Sequence, residues 1–89
     1  MTRVEIYTKN YCPFCARAKA LLDRKNIGYE EIDVTVDPSL QVEMQKRSQR
    51  RTVPQIFIDG VHVGGSDDLI EAERSGALDR LLAGQATAA

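Results

Sequence analysis

The sequence predicts a small α/β sandwich: a mixed four-stranded sheet, built from a parallel βαβ pair plus an antiparallel hairpin, flanked by helices. Three observations predict it. Between residues 3 and 36 the apolar period runs from that of a strand to that of a helix and back. Farther on, Asp59-Gly60 stands between two short β-rich runs, the strongest short hairpin signal a sequence carries. The whole chain has 89 residues, 43% hydrophobic and 28% charged, which is ordinary globular usage and excludes disorder or a coiled coil. A chain of this size buries roughly 60–65% of its unfolded surface, enough for one modest core.

Each element follows from local pattern. Arg3–Thr8 alternates apolar and polar residues and reads as the first strand. After a loop at Lys9-Asn10-Tyr11, Phe14, Ala18, Leu21 and Leu22 fall at the spacing of one helical face, until Asn26 and Gly28 end it. Tyr29–Val36 alternates again, with Ile32, Val34 and Val36 sharing a face, so the two strands are expected to be parallel neighbours. Asp37-Pro38-Ser39 starts a second helix with an acidic cap, and Leu40, Met44 and Val42 supply its apolar residues.

Gln55–Ile58 and Val61–Val63 form the hairpin, which Gly64-Gly65 breaks. Ser66 or Asp67 is expected to cap a helix running to about Arg74, with Leu69 and Ile70 on its apolar side. Gly76 interrupts it, and Leu78, Leu81 and Leu82 dock a last turn or two. The domain is thus expected over residues 1–83, with 84–89 as a disordered tail.

Charge and cysteine usage narrow the function. Twelve Lys and Arg against thirteen Asp and Glu leave a formal net charge of −1, which gives nucleic acid no basic field to meet. No apolar run approaches the ~20 residues of a membrane span, and no signal peptide opens the chain, so a cytoplasmic protein is expected. The two cysteines, Cys12 and Cys15, are too close to staple distant segments. With His62 as the single added ligand candidate, they fall short of a structural zinc site. Redox chemistry remains.

Cys12-Pro13-Phe14-Cys15 lies where strand gives way to helix, the setting of a thioredoxin-like redox motif. A thiolate is the attacking species, and the unpaired N–H groups and dipole of a helix start favour an anion there. Pro13 suits the first turn because its missing N–H would have had no partner. Lys9 brings a positive charge near. Cys15, one turn on, is expected to resolve a mixed disulfide formed at Cys12. The plain alternative is two cysteines behaving as small hydrophobes.

Two further segments are candidates for the wall of such a site. Thr52-Val53-Pro54 precedes the third strand, and the Val53–Pro54 peptide is either cis, freeing the Val53 backbone for an extended peptide, or a trans bond at a strand start. Gly64-Gly65-Ser66-Asp67-Asp68 is either a carboxylate site of backbone N–H groups or a plain turn and cap. Lys46, Arg47, Arg50 and Arg51 are either an attractive field for a carboxylate-bearing ligand or, as the preferred reading, mostly cations solvating a helix end, and His62 reads as a surface strand residue without a catalytic role.

Taken together, Lys9, Cys12-Pro13-Phe14-Cys15, Thr52-Val53-Pro54 and Gly64-Gly65-Ser66-Asp67-Asp68 resemble the glutaredoxins in order and spacing. The likeness runs from about Val4 to Leu82 and is closest to the small bacterial dithiol class. It implies a thioredoxin-like fold, a cis Pro54 and a glutathione groove. It implies a glutathione-dependent thiol–disulfide oxidoreductase acting in redox homeostasis and electron transfer, on protein disulfides and glutathionylated proteins.

The cysteinyl part of glutathione would join Cys12 and pair with the Val53 backbone. Its γ-glutamyl carboxylate would meet Gly65, Ser66 and Asp67, and its glycine carboxylate Lys9 and Gln41, with Tyr11 and Thr52 lining the groove. The family usually has tyrosine where Phe14 stands. Glutathione is then a co-substrate, with no permanently bound cofactor or metal, and a monomer suffices. Two other functions remain in view. One is a redoxin reduced directly by thioredoxin reductase, against which the carboxylate-binding residues argue. The other is a [2Fe–2S] carrier, whose relatives mostly have Gly or Ser in place of Pro13.

Overall fold

The computed structural model describes residues 2–84. The chain runs β1 (Val4–Thr8), α1 (Pro13–Arg24), β2 (Glu30–Asp33), α2 (Pro38–Ser48), β3 (Gln55–Ile58), β4 (Val61–Gly64), α3 (Ser66–Ser75) and α4 (Ala77–Leu82). The sheet order is β2-β1-β3-β4, with β1 and β2 parallel and β3 antiparallel to both β1 and β4. This is the sheet expected from the sequence. Asp59 and Gly60, at φ 50° and 81°, form the tight turn of the hairpin. Gly84 lies in a turn, its N–H donating to the Leu81 carbonyl, and the rest of the expected tail lies outside the described residues.

All of β1 is buried because both sheet faces are covered. On one face Val4, Ile6, Ile56 and Ile58 pack with Ala18, Leu21 and Leu22 of α1, Leu69 of α3, and Leu78 and Leu81 of α4. On the other, Tyr7, Val34 and Phe57 pack with Met44 of α2. Alternation along β1 also puts Glu5 on the α2 face. There Arg47 reaches it with nitrogens 3.1 and 3.3 Å from its carboxylate, donates to the Tyr7 hydroxyl at 2.8 Å, and stacks 4.0 Å from the Phe57 ring centroid. Arg47 therefore turns inward, unlike the solvating cation expected of the basic run.

Three local expectations are corrected. The second strand ends at Asp33, not Val36, because the Asp33 carboxylate accepts the Thr35 N–H at 2.8 Å and also bonds its hydroxyl, closing a turn. Val34 is consequently buried while Val36 is exposed. In α1 the buried stripe passes through Cys15, Ala18, Leu21 and Leu22. Phe14, one residue round the helix at its open end, is 52% exposed under the Arg17 guanidinium. On α2, Val42 points to solvent.

The acidic cap of α2 is where it was expected. The Asp37 side chain accepts from the Ser39 N–H at 2.9 Å. The start of α3 differs: its N-cap is Gly65, with Ser66 already the first helical residue. The carboxylate of Asp68 reaches back to accept the Gly65 N–H at 2.9 Å. This third helical position is where an acidic side chain reciprocates a cap.

Candidate active site

The end of β1 and the start of α1 create the reactive centre. Lys9–Tyr11 turns the chain, with Tyr11 at φ 55° and its side chain fully exposed. Cys12 then caps α1 in an extended conformation, and its carbonyl accepts the Ala16 N–H at 3.0 Å. Its sulfur accepts the Cys15 N–H at 3.1 Å and lies 3.9 Å from the Val53 carbonyl oxygen. The sulfur thus takes up one of the N–H groups that a helix start leaves without a backbone partner. Both cysteines are free thiols, Cys12 half-buried and Cys15 buried.

Burial separates their roles. It pushes the Cys15 thiol up to about 12, and the hydrogen bond with Cys12 adds to the rise, while the Lys9 backbone and the Lys19 ammonium oppose it. Cys15 thus rests as a neutral thiol behind the more accessible Cys12. Lys19 is in turn held by Glu31 at 3.0 Å, and Glu31 also accepts from the Thr8 hydroxyl at 2.8 Å. Those two donors hold the Glu31 carboxyl below its ordinary value, the Thr8 bond contributing most.

Two clefts lie near Cys12, and it lines the first. One, of about 550 Å³, is lined by Lys9, Tyr11, Cys12, Cys15, Lys19, Glu31 and Asp33 among others. The other, of about 310 Å³, lies between Phe14, Thr52, Val53, Pro54 and the Gly65–Asp68 turn. Of the expected site residues, Lys9 and Tyr11 line the first, and Thr52, Val53, Pro54, Gly65, Ser66 and Asp67 line the second. Gln41 lines neither. It holds the neighbouring backbone, its amide nitrogen 3.4 Å from the Arg51 carbonyl, and its own carbonyl oxygen is buried without a partner among the described residues.

The Val53–Pro54 peptide is cis, the choice that the residues alone left open. Sheet pairing begins only at Gln55, so the Val53 backbone stands outside the ladder, facing Cys12. Across the second cleft the Ser66 hydroxyl is buried and has no partner among the described residues.

The comparisons with known proteins fit this geometry. The glutaredoxin family model matches residues 4–63. Glutaredoxin 3 of Escherichia coli (strain K12) is 52% identical over 82 residues, covering 92% of this chain and 99% of that protein. The chain belongs to the glutaredoxin family. The solution structure of a Brucella melitensis glutaredoxin, 58% identical, superimposes with a TM-score of 0.82 over 92% of this chain and 89% of that one. A buckwheat glutaredoxin solved in complex with glutathione, 31% identical, gives a TM-score of 0.86 over 99% and 83%. This glutaredoxin therefore has the thioredoxin-like fold and is a thiol–disulfide oxidoreductase, and Cys12 and Cys15 lie near each other, consistent with a CxxC-type active site.

Two residues of the second cleft have a pairing that the sequence does not announce. Arg50 and Asp68 both line the second cleft and are paired at 2.7 Å, tying the segment before Thr52 to the start of α3. That pairing and the Gly65 N–H hold the Asp68 carboxyl below its ordinary value. The position of Asp68, three residues after Gly65, was a readable capping signal. Nothing in the run Lys46–Arg51 singled out Arg50.

Proposed function

We propose that this glutaredoxin takes its electrons from glutathione and reduces protein disulfides and glutathione mixed disulfides. The observation that carries the reading is the Cys12 sulfur, bonded to the Cys15 N–H and 3.9 Å from the carbonyl of Val53, a residue that lines the cleft with Pro54 and Ser66. A cysteinyl peptide laid along Val53 would exchange backbone hydrogen bonds with it while its sulfur meets Cys12. The backbone of the α3 start and the unpartnered Ser66 hydroxyl supply donors for its γ-glutamyl carboxylate. Lys9, Tyr11, Thr52 and Asp67 complete the contacts, with Gln41 acting through the Arg51 backbone.

With a glutathionylated protein, the Cys12 thiolate attacks the glutathione sulfur. The protein thiolate leaves, and a Cys12–glutathione disulfide forms. A second glutathione thiolate attacks that disulfide, releasing glutathione disulfide and restoring Cys12. With a protein disulfide, the Cys12 thiolate attacks one sulfur, the S–S bond breaks with the other protein sulfur leaving as a thiolate, and a Cys12–protein mixed disulfide forms. Cys15 then attacks Cys12, the protein sulfur departs with the Cys15 proton, and the internal disulfide formed is reduced by two glutathione molecules.

The test is glutathione-coupled turnover of both substrate types by single variants. Cys12→Ser abolishes both reactions. Cys15→Ser retains removal of glutathione and loses protein-disulfide reduction. Turnover surviving Cys12→Ser rejects the nucleophile, and equal turnover with thioredoxin reductase as sole electron source rejects the donor. Among the described residues no helix is long and apolar enough to cross a membrane.

A further inference from the structure

His62 is the one histidine of the chain, and it does not sit free on the surface as its place in β4 predicts. Its ring is half-buried and stacked against Phe57, centroids 4.9 Å apart, with Nε2 2.7 Å from the Gln55 side-chain oxygen. Gln55 is completely buried. Its amide nitrogen lies 3.0 Å from the Thr52 carbonyl and 3.3 Å from the Thr52 hydroxyl. These contacts run from the far end of the hairpin to the loop that faces Cys12.

The direction of every bond in the chain is fixed by one group. The Thr52 carbonyl can only accept, so the Gln55 NH₂ must face it and the Gln55 oxygen must face His62. That oxygen also only accepts. Nε2 of His62 therefore carries a proton. Burial, with the Arg50 charge adding to it, holds His62 below its ordinary value, so the ring is neutral with Nε2 as its single N–H. At the other end, the Thr52 hydroxyl oxygen receives a Gln55 proton. Its own proton is left to be donated, and Thr52 is exposed on the wall of the second cleft.

We propose that His62 is a positioning residue which, through Gln55, sets the Thr52 hydroxyl as a hydrogen-bond donor to a carboxylate of the glutathione tripeptide. The inference rests on the groove assigned above. It gives the His62-Gln55-Thr52 contacts a part in substrate recognition and none in the sulfur chemistry.

Two measurements test it. A long-range proton–nitrogen spectrum of the His62 imidazole in the intact protein should show the Nε2–H tautomer, and the Nδ1–H tautomer overturns the relay. The second is steady-state reduction of a glutathionylated peptide. Thr52→Val, which removes the hydroxyl, and His62→Phe, which keeps the ring stack but loses the donor, should each raise KM about fivefold at unchanged kcat, the ordinary net effect of one hydrogen bond. The double variant should be no worse than either single one, because both cut the same chain. His62→Gln should restore KM, and alkylation of Cys12 by neutral iodoacetamide should be unchanged throughout.

Failure of Thr52→Val to change KM removes the groove reading and the relay with it. A Thr52→Val effect that His62→Phe does not share, or effects that multiply in the double variant, overturns the relay alone.

Discussion

Substituting Gly64 by alanine should destabilise this protein far more than the loss of two hydrogens implies. Gly64 closes β4 at φ +124°, and a Cβ built there would stand 2.3 Å from the Asp68 carboxylate oxygen and 2.7 Å from the Asp68 Cβ. The side chain cannot swing its tip aside, because its base is also in the way. Moving it gives up the bond from the Gly65 N–H at 2.9 Å and the Arg50 pair at 2.7 Å.

Backbone strain for alanine at such a φ is about 1–3 kcal/mol, a lost cap about 1, and a half-exposed ion pair a few tenths to about 1. Together they come to about 3 kcal/mol, which for a domain of this size lowers the melting temperature by roughly 12–24 °C. The assay is urea denaturation of four proteins: wild type, Gly64→Ala, Asp68→Ala and the double variant. Asp68→Ala alone should lose about 1–2 kcal/mol, and the double variant clearly less than the sum, since the lost cap and ion pair are then counted once. A Gly64→Ala loss under about 0.5 kcal/mol, or strict additivity in the double variant, would refute the reasoning.

Other outcomes follow from the same contacts. The reduced chain should lose stability as pH climbs from 9.0 toward about 12, because the folded state keeps the Cys15 proton after the unfolded chain has released it, and Cys15→Ala should flatten that slope in pH-dependent denaturation. Arg47→Ala should lose about 2–3 kcal/mol, since it leaves the nearly buried Glu5 with only the exposed Arg3 guanidinium at 3.5 Å and strips the Phe57 face, and adding Glu5→Gln should recover part of it. Leu78→Ala should lose about 2–4 kcal/mol in equilibrium unfolding if α4 is an integral wall of the larger core, because Leu78 is fully buried there.

The features legible in the sequence are those whose causes are local. The βαβ unit follows from a change of period, the hairpin from Asp59-Gly60, the α2 cap from Asp37, and the dithiol from a spacing that places Cys12 and Cys15 one helical turn apart. The illegible ones depend on partners far along the chain. Phe14 reads as core until its place at the open end of α1 is known. Arg47 looks like its basic neighbours until β1 brings Glu5 beneath it, and Arg50 until α3 brings Asp68 to it. The residues of the second cleft were reached through family likeness. Their local chemistry left Gly64–Asp68 readable as an ordinary turn, and the cis state of Pro54 undecided.

One atom has two duties here. In the proposed function the Cys12 sulfur is the reagent, and it is also the acceptor that anchors the first turn of α1 through the Cys15 N–H. A sulfur tied into a disulfide holds no charge and accepts a proton poorly, so each oxidation slackens the helix it heads. The dithiol form is thereby the better-anchored one. The architecture itself leans the couple toward gaining electrons, and it does so without any neighbouring residue having to be conscripted for the purpose.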